Sequence, residues 1–101
     1  MASRLELQSK LEELLGSRNV YYDPPESIKM AYPAIVYVKS RIESRFANNA
    51  GYSFRTRYDI TVIDKKPDNT IVGELLKLPY CSYDRCYSSD NLHHDVLNLY
   101  Y

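Results

Sequence analysis

Leu7, Leu11, Leu14 and Leu15 recur at helical spacing near the start of the chain and predict one buried helix face. Ser3 and Glu6 have the spacing of a capping box, in which each side chain satisfies a free amide of the first turn. Glu6 and Lys10 form an i, i+4 pair in the favourable order. Gly16 suits the left-handed conformation that ends a helix. Val20 to Tyr22 then predicts a short strand. Asp23-Pro24-Pro25 stops it, because proline lacks the ladder donor and restricts the residue before it. The stretch up to Pro33 is expected to be an ordered loop whose Ile28, Met30 and Tyr32 pack on the body.

The middle of the chain switches to a period of two. Val36, Val38 and Ile42 share a face between Ala34 and Phe46. Tyr52, Phe54, Tyr58, Ile60 and Val62 share one between Tyr52 and Asp64. The turn formers of "ANNAG" lie between, so the pair predicts a long central hairpin. With Asn49 at its centre, Glu43 faces Arg55 and Lys39 faces Asp59, both opposite-charge pairs. The same register sets Val36 against Val62 and Val38 against Ile60. It also sets Arg41 against Arg57, a like-charge pair. Strands of this length exceed the usual five or six residues. The tip, Ile42 to Phe54, is therefore expected to outrun the core as a projecting arm; the alternative is a bulged, strongly twisted hairpin folded back over its own domain.

"KKPDNTIVGELLKL" predicts a second, short helix. Asp68 or Asn69 caps it, Ile71, Val72, Leu75 and Leu76 face inward, and Gly73 weakens it. Alternation returns at the end of the chain. Cys81, Tyr83, Arg85 and Tyr87 form one face of a strand and "SSDN" a turn. In the last strand Leu92, His94, Val96, Asn98 and Tyr100 alternate with His93, Asp95, Leu97, Leu99 and Tyr101. The expected fold is α+β: a small antiparallel β-sheet with a long central hairpin, flanked by an N-terminal helix and a second short helix. Residues 1–101 are expected to form one domain.

Composition narrows the function. Lys plus Arg equals Asp plus Glu, so the net charge is near zero. That disfavours general nucleic-acid binding, which needs a basic footprint, and favours association. The start, "MASRLELQSK", has no apolar run after a basic region, so no signal peptide is expected. No stretch reaches the roughly 20 apolar residues of a membrane span. Synthesis in a cytosol, with reduced thiols, follows. Eleven tyrosines against two phenylalanines and no tryptophan suit either interfaces or half-exposed sheet faces.

The closing stretch concentrates the reactive side chains. Cys81 and Cys86 lie five positions apart and His93 adjoins His94, so in regular strands neither pair converges. Neither a metal site nor a disulfide is expected, and no cofactor is implied. Buried free thiols acting as small hydrophobes are the simpler expectation. A nucleophilic triad of Cys86, His94 and Asp95 can be written on paper. However, no glycine-rich loop, nucleophile elbow or dinucleotide fingerprint accompanies it, so no catalysis is expected.

Three stretches, "LLGSRNVYYDPPESIKMAYPAIVY", "RYDITVIDKKPDN" and "LPYCSYDRCYSSDNLHHDVLNLYY", resemble the tail terminator or tail completion proteins of long-tailed bacteriophages. "YPAIVY", the run from Tyr58 to Asp68, and "DNLHHDV" from Asp90 to Val96 are the most specific pieces. The resemblance implies a structural virion protein of the tail and neck, made in the host bacterial cytoplasm. It implies a hexameric ring, a homo-oligomer, that caps the head-proximal end of the tail tube. Its partners would be the tail-tube protein and the head connector or adaptor proteins, with genome DNA passing through the lumen without sequence-specific binding. A head-completion or adaptor protein docking on the portal is the alternative, and a host-directed binding protein that needs no ring is a third. On the ring reading, the candidate interface residues are Lys39, Arg41, Glu43, Arg45, Asn48, Asn49, Arg55, Arg57, Asp59, Tyr100 and Tyr101.

Overall fold

The structure is a computed structural model describing residues 4–25, 29–46, 52–66 and 70–101, with the side chains of 41–46 and 52–55 left undescribed. Two helices and five strands follow one another as α1 (Arg4–Leu15), β1 (Val20–Tyr22), β2 (Ala34–Phe46), β3 (Tyr52–Asp64), α2 (Thr70–Leu76), β4 (Cys81–Ser89) and β5 (Leu92–Tyr100). The fold is α+β, with the N-terminal and the short second helix both present. The strands form one sheet in the order β1-β2-β3-β5-β4.

The sheet is mixed. β1 pairs with β2 in parallel, Val20 opposite Ile35 to Tyr22 opposite Tyr37, and the other three pairings are antiparallel. The long loop after β1 carries the chain back to run alongside it, which period-two patterning does not reveal.

The leucine stripe of α1 docks as its spacing predicts. Leu7 and Leu11 are fully buried, and Leu14 and Leu15 pack at the margin of the same cluster. Gly16 ends the helix at φ 79°, its N–H donating to Glu12 O at 2.9 Å. From α2, Leu75 is fully buried and Ile71 and Val72 pack beside it. Leu76, expected inside, is 42% exposed, because the short helix presents only one narrow stripe. Ser3, Ile28, Asp68 and Asn69, with their predicted capping and packing roles, lie outside the described residues.

Both helices contribute to a single apolar cluster with Val20, Ile35, Tyr37, Tyr58, Ile60, Val62, Leu97 and Leu99. These sheet residues lie on one face, the helix face. The back face carries a smaller buried set of Ala34, Ile63 and Val96, which lies outside that cluster.

The central hairpin keeps the expected register only toward its tip. Phe46 pairs with Tyr52, Glu43 with Arg55 and Arg41 with Arg57. A bulge between Lys39 and Arg41 then shifts the ladder by one residue. Lys39 opposes Tyr58 instead of Asp59, Val38 opposes Asp59 instead of Ile60, and Val36 opposes Thr61 instead of Val62. A one-residue slip exchanges the two faces. Ile35 and Tyr37 therefore fill the core, and Val36 and Val38 sit half-exposed on the back.

β4 has a second bulge, between Tyr83 and Arg85. It splits the expected face: Cys81 and Tyr83 oppose Leu99 and Leu97, whereas Arg85 and Tyr87 oppose Val96 and His94. Asp90 and Asn91 close the β4–β5 hairpin with φ of 53° and 63°, the two positive values of a tight two-residue turn.

Candidate interaction surfaces

A row of tyrosines crosses the helix face. The Tyr22 and Tyr37 ring centroids are 4.9 Å apart, and Tyr37 meets Tyr58 edge-on at 5.9 Å. Helix α1 closes the row. Tyr37 donates its hydroxyl to Gln8 Oε1, Arg4 donates to the Tyr37 hydroxyl at 3.2 Å, and the Arg4 guanidinium lies 4.4 Å from the Tyr22 ring centre. Burial pushes the Tyr37 and Tyr58 hydroxyls above the ordinary tyrosine pKa. At least these three of the eleven tyrosines hold the core together instead of an interface.

The hairpin arm is the first surface left for partners. The β3–β5 ladder ends at Arg57 opposite Tyr100, whereas β2 and β3 stay paired to Phe46 and Tyr52. Ile42–Phe46 and the strand opposite thus reach past the sheet. The molecule is correspondingly long, 52 × 24 × 23 Å. Asn48 and Asn49 lie outside the described residues, as do the side chains of Arg41, Glu43, Arg45 and Arg55.

The back face is the second. Both helices bury their stripes on the opposite side of the sheet. The predicted charged face is divided by the bulge: Lys39 pairs toward the helix side, whereas Arg57 and Asp59 lie on the back. Arg57 Nε is 3.6 Å from Asp59 Oδ1, an ion pair beyond hydrogen-bond length. With side chains 28% and 38% exposed, such a pair contributes about 0–1 kcal/mol. Asn98, opposite Asp59, completes the group. Arg57 Nε, Asp59 Oδ1 and Asn98 Oδ1 are all shielded from solvent without a hydrogen-bond partner. Tyr100 sits half-buried opposite Arg57. Tyr101 packs against the core cluster and donates its N–H to Thr56 O at 3.0 Å.

The third is β4, exposed along nearly its whole length at the end of the sheet. Tyr83 and Tyr87 are 42% and 45% exposed, one on each face. Tyr83 donates to Asp95 Oδ1 at 2.8 Å, which holds the phenol proton and raises its pKa strongly. Tyr87 stacks on His94 at 4.6 Å with rings 9° from parallel.

The bulge also corrects the thiol geometry. Cys81 and Cys86 oppose Leu99 and Asp95, so they share a face, although about four strand positions, or about 14 Å, separate them. Both are free, and Cys86 is exposed instead of buried. Burial raises the Cys81 thiol pKa. Maleimide or iodoacetamide near neutral pH is therefore expected to label Cys86 quickly and Cys81 slowly. Peptide mass mapping reads the ratio, and equal rates would contradict this placement.

His93 and His94 diverge as expected. His93 lies 3.4 Å from Ser88 Oγ, and His94 Nδ1 is 3.2 Å from Leu92 O. The triad on paper does not assemble: Cys86 and Asp95 are cross-strand partners, but His94 points to the other face. Among the described residues, no three His, Cys, Asp or Glu side chains gather as a metal site would require. No described helix is long and apolar enough to cross a membrane. No protein-family model matches the chain, and no curated protein matches it in sequence.

Proposed function

We propose that this chain is a structural virion protein, a ring-forming tail terminator of a long-tailed phage that works without catalysis. It would cap the head-proximal end of the tail tube and join it to the head connector, with DNA passing through the lumen. The observation that carries this is the arm, a double strand that continues beyond Arg57, where the β3–β5 ladder ends. Such a projection suits docking onto the tube or connector. The resemblance of "YPAIVY", Tyr58–Asp68 and "DNLHHDV" to tail terminators points the same way. The balanced charge fits a channel through which DNA slides without sticking.

Native mass spectrometry of the chain, alone and with the phage's tail-tube protein, tests this. A hexamer, or one ring per tube end, is the expected result. A species that ignores tubes and binds portal rings would replace it with the head-completion or adaptor role.

A further inference from the structure

Among the described residues, the sheet has two unpaired edges, on opposite sides. One is β4, nine residues long, which neighbours β5 alone among the described strands. The other is β2 from Val38 to Phe46, since the β1–β2 ladder ends at Tyr37. Open edges offer rows of unpaired N–H and C=O groups to another strand. Natural edges are commonly guarded by charges, proline or bulges; β4 has no proline or lysine, and its guards are the bulge before Arg85 and the charged pair Asp84 and Arg85.

We propose that β4 of one copy pairs with Val38–Phe46 of the next, head to tail, so that copies join into one continuous sheet. This deepens the ring proposal and rests only on its claim of self-association. Three observations support a second copy of this chain as the occupant.

Direction is the first. β2 and β5 run one way and β3 and β4 the other, because each neighbour in that series is antiparallel. A next copy in the same orientation sets its β2 antiparallel to β4, and the alternation continues across the junction. Charge is the second. Val38–Phe46 carries Lys39, Arg41 and Arg45 against Glu43, whereas β4 and its turn carry Asp84 and Asp90 against Arg85. The two edges are opposite in net sign.

Height is the third. Arg85, the middle of β4, aligns through Val96 and Thr61 with Val36. The middle of the open β2 edge is Ile42, five to six strand steps higher, or about 17–20 Å. One copy contributes four strands, and four interstrand spacings measure about 19 Å. Bringing the two edges together without a rise per copy thus requires strands inclined to the ring axis by about 45°. Closed β-barrels use about 35–45°. The offset between the edges is the stagger that closure needs, and the contact is the heterologous kind that forms a ring when its rotation closes.

Directly opposite residues share a face, so the matched register nearest to centre-to-centre sets Cys86 opposite Ile42 of the next copy, and Arg85 opposite Glu43. In a Cys81→Ser background, Ser40→Cys, Ile42→Cys and Ser44→Cys are made one at a time and mildly oxidised. The expected product is a ladder of multiples beyond the dimer, strongest for one or two neighbouring positions. Cys81→Ser alone, with only Cys86, should not link. A dimer from Cys86 alone would mean β4 pairs with β4 and would overturn the proposal. Amide exchange on the unaltered chain guards against misfolded variants. Slowing at β4 and Val38–Phe46 together, as concentration rises, is expected; a monomer throughout, or slowing elsewhere, refutes it. A ring with these links that ignores tail tubes would sink the terminator and leave the edge pairing standing. Tube capping without the links would do the reverse.

Discussion

Tyr37→Ala is expected to remove a large share of the protein's stability. The side chain is fully buried, packs between the Tyr22 and Tyr58 rings, and ties β2 to α1 through Gln8 and Arg4. Truncating a large buried aromatic costs about 3–5 kcal/mol. Domains of this size have only about 5–15 kcal/mol in total. The loss reaches further than the cavity, because Arg4 also lies over Tyr22 and a loosened α1 would release that contact. Tyr37→Phe keeps the ring and deletes only the hydroxyl, so it should cost about 1–1.5 kcal/mol. Urea unfolding followed by circular dichroism separates the two. A Tyr37→Ala midpoint close to that of the unaltered protein would mean that the tyrosine row is not part of the core.

Ile35→Ala and Val36→Ala should differ sharply although the residues are neighbours. Ile35 is fully buried opposite Val62, and its truncation should cost about 2–5 kcal/mol. Val36 is half-exposed on the back face opposite Thr61, and its loss should cost no more than about 1 kcal/mol. Uninterrupted alternation from the tip predicts the reverse order, with Val36 in the core. Denaturant midpoints of the two variants thus measure on which side of the sheet each residue lies. Equal costs would contradict the bulge at Ser40.

That reversal shows where the chain's pattern stops being informative. The bounds of β2 and β3, the stripe of α1 and the Asp90-Asn91 turn follow from local chemistry: period, capping and positive φ. The two bulges do not. Ser40 and Asp84 interrupt their ladders without a glycine to mark the place, so period-two counting continues straight through them. The Lys39–Asp59 and Val36–Val62 pairs looked mutually supporting because a one-residue slip moves both together. The parallel β1–β2 pairing and the insertion of β5 between β3 and β4 depend on which strands meet after long connections, which composition does not encode. Of the candidate interface residues, Arg57 and Asp59 reach the back face as a pair with Asn98 beside them. Asn98 has no charge to single it out in the sequence, and only its place opposite Asp59 gives it a part in the group.

The arm also has a mechanical meaning. Its two strands are the same strands that run beneath α1: β3 continues without a bulge from the tip segment to Tyr58, whereas β2 passes through the bulge at Ser40 before Tyr37. A load applied along β3 is therefore carried by backbone straight into the centre of the sheet. There it meets the β3–β5 ladder, whose hydrogen bonds lie across the pull and must fail together instead of peeling one by one. A subunit built this way passes tension from its arm through β3 into the sheet, so that β3 is the tie between whatever grips the arm and whatever grips the body.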